Sequence, residues 1–555
     1  MQDDKNLSEV HIGDQKIIDN KELNLLESLI PVVILMCLLA YNIFFVEGQE
    51  WFGAYTNQYI LIMGGIVAAV VGFFNKVSFA TMVAEVWENW KSVFVPIMIL
   101  FLVGALAGTW LVSGIIPAMV YYGLQVLSPE IFLPASVIIA AIISIATGSS
   151  WTTSATVGIA LVGIGSALGI PTGMIAGAVI SGAYFGDKMS PLSDTTNLAP
   201  AMAGTDLFTH IKYMAYTTVP TIILTLIVFA ILSGTIESSG ETDTTFILGT
   251  IDTYFNITPW LFLVPVAVIT LILFKTKPLI ALGTGVVLAA IFAIVFQSSL
   301  LSSLSETKTA SIINAVLTDT NIKIDNAQYL EVLSDNDIQR IKEDENLKEL
   351  FTDDDLKGVY TKEILSSFFI SDKLDKQTRN IKVDNLDKLI TIKRLKKLFS
   401  SGGINGMLWT ILLIICAMVF GGIMDAIGAL AKITKSLLSV ATSVFGLFAS
   451  TVVSCLGLNA IASDQYLALV IPGKMFKKAY EDKGLAPENL SRTLEDSGTV
   501  TSVLIPWNTC GAYQSSVLGV DVIDYFVYAI FNYLSPFTTL LFAALNIKIR
   551  QLVKK

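Results

Sequence analysis

The chain has 555 residues, of which 53% are hydrophobic and 15% charged, with a formal net charge of −10 and a mean hydropathy of +0.67. Apolar runs that approach or exceed the length of a hydrocarbon core recur along it, which excludes a soluble globular protein. Barrel strands alternate and are far shorter than these runs, so a transmembrane β-barrel is excluded as well.

Residues 1–27 are polar and mixed in charge, and they read as a cytoplasmic N-terminal segment without the pattern of a signal peptide. A first transmembrane half follows over 28–301, with apolar spans near 28–45, 58–74 and 92–112. Next comes an apolar pair over 131–169, joined by the hydroxyl-rich 147-TGSSWTTS-154, then an interrupted helix over 171–205. Spans near 211–232, 258–274 and 278–301 close this half. A polar insert fills 302–404. The second half, 405–546, holds a span at 405–430, a hairpin over 436–479 around 457-GLNAIASD-464, an interrupted helix over 489–515, and a last span at 521–546. Residues 547–555 form a basic tail. Cys37, Cys416, Cys455 and Cys510 all fall in apolar segments and read as small hydrophobes.

The expected fold is therefore an all-α polytopic membrane protein of about ten crossings, two re-entrant hairpins and two broken helices. Short basic clusters orient it. Lys76, Lys91, Lys212, Lys277, Lys432, Lys435, Lys474, Lys477 and the tail fall on one side of this count. The opposite loops 46–57, 113–130, 233–257 and 516–520 have no Lys or Arg. Both termini are thus expected in the cytoplasm and the insert outside.

The first break, 182-GAYFGDKMSPLSDTTNLA-199, puts Asp187, Lys188 and Asp194 where a helix would otherwise continue, and Pro191 lacks the N–H that continuation needs. Charged groups at membrane depth mark functional sites by default. The second break, 495-EDSGTVTSVLIPWNTCG-511, has the same rhythm: 39 residues separate Gly148 from Asp187 and Gly457 from Asp496. Five crossings lie between the two hairpin tips, so the second unit enters from the opposite face. Inverted repeats of this kind place a transport site at their interface.

Carboxylates, hydroxyls, amides and freed carbonyls are hard oxygen donors that suit Na⁺. A carboxylate that takes either a proton or Na⁺ gives Na⁺/H⁺ exchange if the site opens to one side at a time. The candidate ion-binding and proton-coupling residues are Asp187, Asp194, Thr195, Asn197, Asn459, Asp464, Asp496 and Asn508. Ser149, Ser150, Thr152 and Thr153 supply hydroxyls at the first tip. Asp194, followed at once by Thr195 and Asn197, is the stronger cation ligand. Asp187 is the weaker, because Lys188 stands beside it, and a structural ion pair of Lys188 with Asp187 or Asp194 is the plain alternative. His210 reads as exposed in a cytoplasmic loop and Asp425 as near a surface. No P-loop is present. The intramembrane protease signature Gly-x-Gly-Asp is not met by 184-YFGD-187 either, so the chain reads as a transporter and not an enzyme.

The run 182-GAYFGDKMSPLSDTTNLAPAMAGTDLFTHIKYMAYTTVP-220 closely resembles the signature region of the NhaC-type Na⁺/H⁺ antiporter family, and 402–428 and 454–513 resemble its second half. The insert 302–404 is longer than the connection usual in that family. The resemblance implies Na⁺/H⁺ antiport in a bacterial inner membrane, with Na⁺ (or Li⁺) and H⁺ as the transported ions and no cofactor or nucleic acid. Oligomeric state is left open, a homodimer included. The family also contains exchangers of malate and lactate, so a Na⁺- or H⁺-coupled carboxylate exchanger is the alternative, and a cation channel a weaker one. Against the carboxylate reading stands the scarcity of basic residues at depth, where Lys188 is the one seen.

Overall fold

The computed structural model describes residues 7–12, 15–46, 51–53, 55–235, 244–274, 276–322, 339, 395–396 and 399–552. Within them the chain is helical throughout apart from two two-stranded ribbons, so the all-α polytopic expectation holds. Eight helices are long and apolar enough to cross a bilayer: Leu25–Asn42, Thr56–Phe74, Phe94–Val112, Pro129–Thr147, Leu207–Thr235, Pro278–Phe296, Asn405–Ala426 and Val444–Ile461. The bent pair Ile247–Tyr254 and Pro259–Leu273, meeting at 85°, is a ninth candidate. Shorter helices follow the two breaks seen in the sequence, and others fall where none was read: Ile115–Val126 lies in the segment read as a loop, and the span read at 521–546 is divided into Val522–Phe526 and Ile530–Ala544.

One of the ribbons lies in the segment read only as polar. Leu7–Ile12 pairs antiparallel with Gln15–Asn20. Its Ile18 is buried, and Asn20 Nδ2 donates to the Asn75 carbonyl at 3.3 Å, docking the ribbon on the end of Thr56–Phe74. Of the insert 302–404, the described parts are helix Lys308–Leu317 and a two-residue ribbon pairing Thr320–Asn321 with Ser400–Ser401. Residues 323–338, 340–394 and 397–398 of the insert lie outside the described residues.

Helix Pro129–Thr147 packs along Thr172–Met189 because small residues let the two backbones meet. A Cβ on Gly182 would stand 2.2 Å from the Val137 carbonyl oxygen. Ser144 Oγ crosses the same seam to the Ala183 carbonyl at 2.6 Å. Around this seam wrap Leu207–Thr235 and Ile530–Ala544, the second of which belongs to the other half of the chain.

Two burial expectations are corrected here. His210 is wholly buried in the first turn of Leu207–Thr235, because that helix begins well before its apolar stretch, and its Nδ1 lies 2.8 Å from Ser491 Oγ. Asp425, read as near a surface, is 8% exposed at the end of Leu408–Ala426.

The tail is also structured as far as residue 552. The Ala486 amide donates to the Arg550 carbonyl at 2.9 Å and the Leu552 amide to the Gly484 carbonyl at 2.7 Å. Arg550 Nη1 meets Glu488 Oε1 at 3.0 Å.

Candidate functional site

The first hairpin turns at Gly148, whose φ of 69° is left-handed and costs glycine little. Its Cα also faces the first break, since a Cβ there would lie 2.6 Å from Leu192. Gly148→Ala combines both penalties, so it should lower stability by more than the roughly 1–2 kcal/mol of left-handed strain alone. Thermal unfolding in detergent checks this. After the turn, Ser149 Oγ accepts the Thr152 amide at 3.2 Å, and a π-helical turn follows at Ser154–Gly158. Such turns are frequent at functional sites.

The tip closes on the broken helix. Asp187 Oδ2 accepts from the Ser150 amide at 3.1 Å and from Ser150 Oγ at 2.7 Å. Thr172–Met189 ends just beyond it, and a new helix starts at Asp194 under the cap of Ser193. The carbonyls freed by the break are taken up locally, as a membrane interior requires. Thr196 Oγ1 donates to the Asp187 and Lys188 carbonyls at 3.2 and 3.1 Å. Asn197 Nδ2 serves the Pro191 and Ser193 carbonyls at 3.0 and 2.7 Å. Thr195 is buried, with its Oγ1 3.1 Å from Ser193 Oγ.

The second tip is built by different residues to a similar end. Ser463 takes a positive φ of 58°, and Asp464 Oδ1 accepts the Tyr466 and Leu467 amides at 2.6 and 3.1 Å, starting Gln465–Asp482. Asn459 Nδ2 donates to the Gly498 carbonyl at 2.7 Å and to Thr501 Oγ1 at 3.0 Å. Gly498 lies in the π-turn Glu495–Thr499, and Asn459 thereby serves its backbone. Asn508 Nδ2 returns to the Asn459 carbonyl at 3.0 Å, while its Oδ1 caps Thr509–Leu518 through the Cys510 amide. The first tip meets the helix that follows the second break, Thr509–Leu518, where Trp151 stacks on Tyr513 with ring centroids 4.0 Å apart.

A cavity of about 500 Å³ opens between these parts. Thr147, Gly148, Ser149 and Thr152 line it from the first tip, Asp187, Ser193, Asp194 and Thr195 from the first break, and Asp464, Gln465, Tyr466 and Thr509 from the second half. Ser92, at the end of Phe79–Ser92, and Val93, Thr276 and Lys277, between helices, also line it. Of the residues singled out in sequence, the cavity gathers Ser149, Thr152, Asp187, Asp194, Thr195 and Asp464. Among the described residues no three His, Cys, Asp or Glu side chains converge closely enough to hold a metal. The oxygens that line the cavity, carboxylates and hydroxyls, are a hard donor set of the kind a monovalent cation takes.

Other candidates sit elsewhere. Asn197 and Asn459 bond the backbone of the breaks and Asn508 that of the second tip, Ser150 bonds Asp187 of the first break, and Thr153 bonds within the tip, its Oγ1 reaching the Ser149 carbonyl at 2.9 Å. Asp496 does not line the cavity. It pairs with Lys188, both residues wholly buried. The expected partner of Lys188 was Asp187 or Asp194. The correction follows from position: Lys188 is next to Asp187 on a helix, and consecutive side chains point about 100° apart. Asp187 faces the first tip, so Lys188 faces Ile530–Ala544 and the second break.

Sequence reasoning missed one buried charge, Arg492, and named Glu495 only as the opening of the second break, without a role. Arg492 is wholly buried, with its guanidinium carbon 4.7 Å from the Tyr213 ring centroid. Lys188 is thus not alone as a wholly buried basic group among the described residues. Glu495, one turn on, is buried with neither carboxyl oxygen hydrogen-bonded within the protein. The signal was a charged residue within or just before the second break, where a helix interior is otherwise buried.

Comparison with known proteins matches residues 182–330 and 383–547 to the model of the Na⁺/H⁺ antiporter family. The chain is 34% identical to the Na⁺/H⁺ antiporter NhaC of Alkalihalophilus pseudofirmus over 491 residues, covering 88% of this chain and 90% of that protein. It is 31% identical to NhaC of Bacillus subtilis, over 80% and 83% of the two chains. It is 30% identical to the malate-2H⁺/Na⁺-lactate antiporter of the same organism, over 89% and 88%.

Proposed function

Because the chain belongs to the Na⁺/H⁺ antiporter family, we infer that its 500 Å³ cavity is the place where Na⁺ and H⁺ compete. The protein is a secondary transporter that exchanges Na⁺ for H⁺ across a membrane, and Li⁺ is a second substrate to be tested. The observation that carries the site is the convergence of Asp187, Asp194 and Asp464 with Ser149, Thr152 and Thr195 on one cavity drawn from both halves. Asp194 supplies the exchangeable carboxylate. Asp187, fixed by two bonds from Ser150, is a static negative wall beside it. Burial of a carboxylate favours its neutral form and a bound cation favours its charged form, so proton and Na⁺ displace one another.

The two halves, 28–301 and 405–546, act as an inverted repeat whose relative movement alternates access to this site. The support is that each tip bonds into its own broken helix, Ser150 to Asp187 and Asn459 to Gly498. Ser92, Thr276 and Lys277 line the cavity close to the basic loops, which supports the reading that it opens to the cytoplasm of a bacterial cell, with both termini on that side.

Proteoliposomes loaded with protons and a pH dye test the reading. Na⁺ added outside should alkalinise the lumen without any organic anion. A requirement for malate or lactate would transfer the protein to carboxylate exchange, the activity named for one relative. The cavity itself speaks against that outcome, since its one basic lining residue among those described, Lys277, is exposed.

A further inference from the structure

We propose that Asp496 forms a second cation site whose cation is supplied permanently by the chain, as the ammonium of Lys188. The place of Asp496 is the counterpart of Asp187, each standing 39 residues beyond its hairpin tip. Asp187 faces the cavity, whereas Asp496 faces a dry pocket of oxygens. Its Oδ2 accepts from Thr217 Oγ1 at 2.8 Å and from Thr539 Oγ1. Its Oδ1 meets Lys188 Nζ and, at 3.4 Å, Ser535 Oγ, which also lies 3.0 Å from Nζ. These side chains come from four separate segments, and none is more than 1% exposed.

A simple ion pair needs one carboxylate and one ammonium. Here three hydroxyls from two further helices are gathered on the same charges. A hydroxyl rotates to donate or to present its lone pairs, so carboxylate and hydroxyls together are the donor set that a dehydrated alkali cation takes. Lys188 Nζ and Na⁺ carry the same charge. Removing the ammonium leaves a buried negative charge amid oxygens, which is the state that binds a free cation. The chain therefore has two related carboxylate sites, one exchanging its cation and one closed by a tethered one.

The inference rests on the reading that Asp194 serves the exchanging site, because that site must be silenced to see the other. Full-length protein in detergent is unfolded thermally in NaCl and in choline chloride of equal ionic strength. Asp194→Asn alone should not respond to Na⁺. Asp194→Asn with Lys188→Gln should gain a Na⁺-dependent rise of several degrees in Tm. Adding Asp496→Asn should remove that rise, and Lys188→Arg in place of Lys188→Gln should never show it. Absence of the Na⁺ response in the Lys188→Gln protein overturns the proposal, and so does a protein that stays unfolded in Na⁺ and choline alike. A response that survives Asp496→Asn overturns it too. A Na⁺ response in Asp194→Asn alone counts against the cavity assignment only. The second site is then read as the increment that Lys188→Gln adds and Asp496→Asn takes away.

Discussion

Asp194→Asn in proteoliposomes should reduce Na⁺-driven alkalinisation to the level of empty vesicles while leaving a folded protein. The carboxamide is nearly the same size, but it neither takes up a proton nor bears the charge that favours Na⁺. Asp194 opens the helix Asp194–Ala203, yet the cap of that helix is Ser193 and the freed carbonyls are held by Thr196 and Asn197. Loss of the charge therefore removes little structure. Exchange at half the normal rate or better would exclude Asp194 from the site. Asp187→Asn differs in kind, since it weakens the bonds from Ser150 that hold the tip against the helix. It should lower thermal stability as well as exchange.

The second large effect is structural. Asp496→Asn strands the Lys188 ammonium in a dry interior, and breaking a buried pair by removing one partner costs about 3–5 kcal/mol. The loss should appear as poor yield and a lowered Tm that Na⁺ does not restore, because the remaining charge repels cations. Replacing both partners by apolar residues of similar volume, Lys188→Met with Asp496→Leu, should recover much of it. If the single and double variants unfold together, the pair does not carry the energetic weight assigned to it.

The breaks were legible because their causes are local. Pro191 lacks the N–H that would carry the helix on, and Ser, Thr and Asn cluster where freed carbonyls need partners. The inverted arrangement we propose rests on an interval and a parity, both readable along the chain. The identity of partners was not. Lys188 finds Asp496 across 308 positions, a choice made by how Thr172–Met189 is turned in its packing. The three asparagines show the same limit. Composition marks them as ligands or as backbone staples with equal force, and only geometry places Asn197, Asn459 and Asn508 on carbonyls. His210 was misread because the apolar stretch around it starts later than its helix does.

The Lys188–Asp496 pair also imposes a schedule on biosynthesis. Synthesis at about 5–20 residues per second puts roughly 15–60 s between the appearance of the lysine and that of the aspartate. For that time the first half holds a positive charge with no permanent counter-charge, and it cannot settle into its final packing in lipid. A ribosome that stalls or a chain cut within the insert leaves a fragment whose defect is electrostatic, however well its helices are inserted. Quality control thus has one buried charge by which to tell a finished molecule from a half-made one.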